Sequence, residues 1–239
     1  MLELLRNIHA ELNLKNFLED LDKDKNFLEG INKCIQKNHI FQKRSFSSIY
    51  EFSVYRNFIY SLIRNKKPKI IIETGVLHGL TSAWILKALK DNGSGKLISI
   101  DLPRRDWEEH FGDKPFGPGG KEEFELQEQK PGWVIPEDLL KFWELHLGPS
   151  SEFLEKIISE NHGIDLFIHD SDHSYEVMKF ECDLVQNKLT NIDLIIDDHY
   201  CNNYYKDFSQ NYNREFVCID DINDDLKQVE GCVFFPNKK

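Results

Sequence analysis

KIIIETGVLHGLTSAWILKALKDNG, residues 69 to 93, is the stretch whose reading decides the fold. It opens on a β-branched apolar run and turns through a short loop with glycines at 75 and 79. It then takes up a helical pattern that ends at Gly93. A continuous apolar run of this length suits a strand buried on both faces of a parallel sheet. TSAWILKALKDNG reads as a helix, with Thr81 or Ser82 available as N-cap and Gly93 near its end.

Working outward, the same kind of run recurs. KLISID (96–101), IDLFIHD (164–170) and IDLIIDD (192–198) are short and β-rich, and each ends in an acid, as KIIIE (69–73) does. LHLG (145–148) reads as a weaker strand ahead of the helical SSEFLEKIISEN, and EFVCID (215–220) and CVFFP (232–236) as a terminal hairpin. Seven strands alternating with helices predict an α/β chain with a doubly wound, mostly parallel sheet. Residues 1–66 read as a helical N-terminal extension packed on the core, and 67–239 as the ligand-binding domain. Residues 103–138, rich in Gly, Pro and charge, are too long for an ordinary connection and read as a lid-like insertion. In such sheets ligands bind beyond the carboxyl ends of the strands, where the four acid endings point.

Composition narrows the function classes. A chain of 239 residues supports one sizeable core. The formal charge of −11, with no basic stripe, makes nucleic acid and anionic membrane poor partners. Cys34, Cys182, Cys201, Cys218 and Cys232 form no CxxC pair, which excludes a zinc ribbon or thioredoxin-like motif. They read as buried thiols of a reducing compartment. Charges run through MLELLRNIHAELNLKNFL despite apolar Leu2, Leu5, Ile8 and Leu12, so no signal peptide is read, and no long apolar run follows. A cytoplasmic protein is expected. The N-terminal helices could also serve a homo-oligomer contact.

The glycine loop excludes two nucleotide motifs. G-x-G-x-x-G from Gly75 would need glycines at 77 and 80, where Leu77 and Leu80 stand, and no P-loop Gly-Lys-Ser/Thr follows. A G-x-x-x-G turn preceded by Glu73 suits backbone approach to a ligand with an amino-acid end. Asp101 ends the second strand, where such folds place a carboxylate on a ribose diol. A tight turn, and a solvated strand-terminal acid, are the plainer readings.

IDLFIHDSDHSYE (164–176) crowds a strand end with acids and histidines. Neighbouring strands should bring Asp170 near Asp197 and Asp198, and three carboxylates repel unless a cation sits between them. Mg²⁺, a hard cation, suits that set. His173 offers an imidazole able to take a proton near neutral pH. His169, at its strand's end, reads as orienting a neighbour or, more simply, as finishing the strand, and Asp172 as capping a helix near Ser174, with Tyr175 packing behind. His199 is placed to touch substrate, and Trp133 to cover a ligand or to pack in the core. In KLTNIDLIIDD, Asn191 is the expected left-handed residue.

ETGVLHG, then LISID, then FIHDSDHSYE resemble the class I S-adenosylmethionine (SAM)-dependent methyltransferases. The closer likeness is to the branch of cephalosporin-hydroxylase-like proteins and macrolide-sugar O-methyltransferases. It extends through SIDLP (99–103), GWVIPE (132–137) and LGPSSEFL (147–154). The resemblance implies a Rossmann-like SAM fold, with Glu73, Thr74, Gly75, Gly79, Thr81, Ser82 and Asp170 around the cofactor and Asp101 on its ribose. It further implies Asp170, Asp197 and Asp198 as Mg²⁺ ligands and His173, in a D-x-x-H spacing, as general base. The implied activity is Mg²⁺-assisted methyl transfer from SAM to a hydroxyl of a small sugar-like or natural-product-like acceptor. A hydroxylase-like protein or a non-catalytic SAM-binding partner subunit are the alternatives. One departure stands out: many relatives carry Gly-Gly before the fifth strand, where this chain has Thr190 and Asn191.

Overall fold

In the computed structural model, which describes residues 14–36, 54–102, 130–222 and 228–237, the quoted stretch forms β1 (Ile70–Thr74) and α4 (Leu80–Asn92). Helices α1 (Leu14–Lys23), α2 (Lys25–Gln36) and α3 (Val54–Lys66) precede them. β2 (Lys96–Asp101), β3 (Trp143–Leu147), α5 (Ser150–Glu160), β4 (Ile164–His169) and α6 (Tyr175–Lys188) follow. The chain then forms β5 (Asp193–Asp197), α7 (Tyr204–Tyr212), β6 (Val217–Ile222) and β7 (Gln228–Phe235). The seven strands lie in the order β3-β2-β1-β4-β5-β7-β6. The first five are mutually parallel, while β7 enters antiparallel between β5 and β6. The order reverses between β1 and β4, so a crevice opens at their carboxyl ends.

Both faces of the sheet are covered. Ile59, Leu62 and Ile63 of α3 pack with Trp84, Ile85 and Leu89 of α4 over one face, and α2 joins them through Phe27, edge-on to Trp84 at 5.0 Å. This apolar cluster runs unbroken across residues 66 and 67. On the other face Leu154, Ile157, Met178, Val185 and Phe208 from α5, α6 and α7 meet the opposite side of the strands. Double coverage explains why β1 and β5 read as unbroken apolar runs rather than alternating ones. Among the described residues no helix is long and apolar enough to cross a membrane.

Three local expectations are corrected. α4 is capped by left-handed Gly79 (φ 89°) with no side-chain cap, and Thr81 and Ser82 lie within the first turn. The chain enters that helix from a glycine folded against neighbouring backbone, which leaves no room for a side-chain cap at position 79. Gly93 ends the helix in the left-handed conformation (φ 69°), as expected. Asn191 is not left-handed; among the described non-glycine residues only Lys67, Leu77, Asp198 and Asn213 have positive φ. The approach to β5 is held instead by Arg214. Its guanidinium donates to the carbonyls of Ile192 (3.0 Å), Phe235 (2.7 Å) and Pro236 (2.9 Å) and to Gln186 Oε1 (2.6 Å). Finally, β3 starts at Trp143, ahead of the expected LHLG.

The lid expected at 103–138 lies outside the described residues up to 129, as does the apolar pattern of Leu2, Leu5, Ile8 and Leu12. Its last part is a turn and a 3₁₀ helix, Glu137–Phe142, bonded onto the glycine loop: Gly132 N donates to Leu77 O (3.0 Å) and Val134 N to His78 O (3.1 Å).

Candidate active site

The carboxyl end of β1 carries Glu73, fully buried. Its Oε2 accepts the hydroxyls of Ser82 and Ser99, each at 2.7 Å, and Ser99 is oriented in turn by Trp143 Nε1 at 2.8 Å. Oε1 is buried and has no hydrogen-bond partner among the described residues. Burial pushes the Glu73 carboxyl up to about 7, against the two hydroxyls that favour its ionised form. A buried carboxylate with one oxygen bare is a receptor for a cation such as a ligand ammonium.

The glycines expected to admit a ligand are first required by the chain itself. A Cβ on Gly75 (φ 84°) would stand 1.8 Å from the carbonyl oxygen of Asp170. On Gly79 it would stand 2.6 Å from Gly132 Cα. The loop between them is pinned by Asp101, whose Oδ1 accepts from Val76 N at 3.0 Å. Burial raises the Asp101 carboxyl to about 6, with the amides of Val76 and Leu77 pulling the other way. Leu77 is held left-handed (φ 50°) and exposed at the mouth of the loop. The half-buried Trp133 lies edge-on to His78 at 5.7 Å. Thr74 and Ser82 are committed internally, Thr74 Oγ1 to Glu181 Oε2 at 2.6 Å and Ser82 to Glu73. Thr81 lies beside the buried Tyr55 hydroxyl.

At the ends of β4 and β5 the acidic group assembles, with a change of membership. Ligand atoms of Asp170, His173 and Asp197 all lie within 4.8 Å of one another. Burial first, then the charge and hydrogen bond of Asp197, hold the Asp170 carboxyl well above the usual range. Two such carboxylates repel one another unless a cation joins them. Asp198 stands outside this group. It adopts the left-handed conformation (φ 46°), so its Oδ1 accepts from Tyr200 OH at 2.7 Å while Oδ2 lies 3.6 Å from His173 Nε2. Burial lowers the His173 pKa, opposed by Asp198.

The neighbouring expectations need further correction. The cap of α6 is Ser174, whose hydroxyl accepts from Val177 N at 3.4 Å; Asp172 buttresses it through Ser174 N (2.9 Å) and Oγ (3.2 Å). Tyr175 is exposed and donates to Asp207 at 2.8 Å. His199 is buried, 3.5 Å from Asp220 and edge-on to Tyr205. His169 does not simply finish the strand. It is wholly buried, with Nδ1 2.6 Å from Glu181 Oε2, and its ring meets that of His173 edge to face.

Glu181 and Tyr55 were missed from the sequence. Glu181 left a signal: it falls in the inward stripe of α6 with Met178, Cys182 and Val185, at helical spacing, where a lone acid is out of place. Tyr55, buried on α3 and facing the charges of Asp170 and Asp197, left none, since only packing of α3 brings it there.

Comparison with known proteins accords with this fold. The family described as "Methyltransferase domain" matches residues 72–198. No curated protein matches the sequence. Among solved structures, the O-methyltransferase TomG from Streptomyces achromogenes, in complex with SAM, aligns over 88% of this chain and 90% of its own, at 12% identity and a TM-score of 0.55. The Bacillus cereus O-methyltransferase with S-adenosylhomocysteine covers 96% and 100%, at 12% identity and 0.56. The methyltransferase PaMTH1 from Podospora anserina, bound to the same product, covers 90% and 88%, at 12% identity and 0.52.

Proposed function

Since this chain belongs to the methyltransferase-domain family and is a SAM-dependent methyltransferase, we propose that it methylates a hydroxyl oxygen of a small molecule, with Mg²⁺ between Asp170 and Asp197 and His173 as general base. The observation that carries this reading is the convergence of the buried Asp197 carboxyl, the half-buried Asp170 carboxyl and an imidazole at the ends of β4 and β5. Beside them, the bare Glu73 Oε1 suits the amino group of SAM, and Asp101 the ribose hydroxyls. Bound SAM supplies a methyl group on a good leaving group, and the cation supplies positive charge beside the acceptor oxygen. The side chains have the remaining work. Burial keeps His173 neutral near pH 7, so it can accept the hydroxyl proton, and the carboxyl pair fixes where the acceptor sits. The balanced outcome is a methyl ether, S-adenosylhomocysteine and one proton released through His173. A sugar-like or natural-product-like acceptor fits the resemblance noted in the sequence.

The 4.8 Å grouping also favours a second reading, in which His173 is itself the third cation ligand. An imidazole ligand would shift preference from Mg²⁺ towards transition metals.

The test is thermal unfolding with SAM and with each metal, on wild type, Asp197→Ala and His173→Ala, alongside transfer of labelled methyl to a panel of hydroxylated acceptors. SAM at about 100 times its Kd should add about 2.7 kcal/mol. The Mg²⁺ increment should vanish in Asp197→Ala and persist in His173→Ala. Loss of the metal response in both variants would favour the second reading, and no metal response in wild type would end the metal assignment.

A further inference from the structure

The site described so far leaves a buried polar group of α3 without a role. Tyr55, the second residue of that helix, is 2% exposed, and its hydroxyl makes no hydrogen bond among the described residues. A hydroxyl withdrawn from water and left unbonded is destabilising, unless a ligand supplies the missing partner. Its place is fixed by packing: farther along α3, Ile59, Leu62 and Ile63 lie against Trp84, Ile85 and Leu89 of α4. The hydroxyl is thereby laid beside Thr81, in the first turn of α4, and within the field of Asp170 and Asp197.

That first turn also lacks a cap. The N-cap is Gly79, which has no side chain to offer. The amides of Leu80, Thr81 and Ser82 precede the first intrahelical bond, from Ala83 N to Gly79 O at 2.9 Å. The start of a 13-residue helix, left open in this way, favours an anion. Ser82, in the same turn, is bonded to Glu73 Oε2, so the bare Glu73 Oε1 assigned to the cofactor ammonium is close by. An amino acid carries its ammonium and its carboxylate on one carbon, so the carboxylate must lie near Glu73 without touching it. Asp101, Asp170 and Asp197 would repel it as Glu73 does. The open amides of α4 would attract it, and a phenol beside both the helix start and the acids supplies the further donor that a carboxylate needs in such company.

We propose that Tyr55 is a cofactor-binding residue contributed by the N-terminal extension: its hydroxyl donates to the carboxylate of SAM, seated at the first turn of α4. This rests on the placement of the SAM ammonium at Glu73, and it makes α3 part of the cofactor site. Tyr55→Phe separates this role from packing, since it keeps the ring and removes an unbonded hydroxyl. Without ligand, the Tm of that variant should equal or exceed that of wild type.

The experiment is isothermal titration calorimetry without acceptor or metal. The ligands are SAM and decarboxylated SAM, which keeps the ammonium and the sulfonium but lacks the carboxylate. In Tyr55→Phe the Kd for SAM should rise roughly 10–100-fold, while the Kd for decarboxylated SAM stays at its wild-type value. Glu73→Gln should weaken both ligands alike. Unchanged SAM affinity in a folded Tyr55→Phe overturns the proposal and leaves the Glu73 placement standing. So does an equal loss for both ligands, which does not pass through the carboxylate. A ligand-free Tm well below that of wild type would give the hydroxyl a structural partner and overturns it too. Wild type that binds decarboxylated SAM as tightly as SAM overturns it with no variant needed. A Glu73→Gln that binds both ligands as wild type does removes the ammonium placement, and the proposal with it.

Discussion

Replacing Gly75 with alanine tests how closely β1 and β4 must approach to build the site. An added Cβ would lie 1.8 Å from the Asp170 carbonyl oxygen, whereas real Cβ contacts essentially never fall below 3.0 Å. The difference, 3.0 − 1.8 = 1.2 Å, has to come from main chain moving apart, since the obstructing atom is backbone. Two bonds lie in the way of that motion: Asp170 N to Thr74 O and Gly75 N to Ile100 O, each 2.8 Å. Left-handed strain costs roughly 1–2 kcal/mol and each buried main-chain bond left unmade roughly 1–3, so the total is roughly 3–8 kcal/mol. At about 3 °C per kcal/mol for a chain of this size, Tm should fall by about 9–24 °C. Gly93→Ala is the internal control. Gly93 shares the left-handed conformation (φ 69°), but a Cβ there meets nothing within 4 Å. It should bear the strain alone, with a fall of about 3–6 °C. Differential scanning calorimetry of the two variants without ligand decides the matter. Equal shifts would refute the claim that the β1–β4 approach leaves no room for a methyl group.

Three further outcomes follow from the same structure. Glu73 titrates at about 7 when folded, against 4.5 as an ordinary carboxyl, so the folded chain holds this proton more tightly. Its contribution is therefore full below about pH 4.5 and lost as pH rises through about 7. The stability of wild type relative to Glu73→Gln should drop by about 3 kcal/mol across that window in urea titrations without SAM, and a flat difference would contradict the burial argument. Arg214→Met removes donors from three carbonyls and Gln186, and should lower stability by about 2–4 kcal/mol in urea unfolding. Ser174→Ala should cost about 1 kcal/mol and Asp172→Ala less, because Asp172 bonds the cap residue rather than the free helix amides. The reverse order in urea midpoints would make Asp172 the true cap.

Much of this architecture was legible residue by residue. The apolar runs at 69–73, 96–101, 164–170 and 192–198 had to be interior strands, because only a sheet covered on both faces hides such runs, and their acidic ends had to gather at one edge. Gly93 as a helix stop and the terminal hairpin were equally local. The errors have one physical source: contacts between distant residues override local preference. Thr81 and Ser82 look like caps, yet Gly79 serves because residues 132–135 press against it. His169 is its strand's last residue, as read, but its partner Glu181 arrives from α6, twelve positions on. The sequence by itself determined the sheet, its winding and the edge where chemistry gathers, since periodicity and burial are summed along the chain. The tertiary structure decided which carboxylate faces which imidazole, because a difference of a few ångströms in low dielectric sets charge, proton position and hydrogen-bond partner at once.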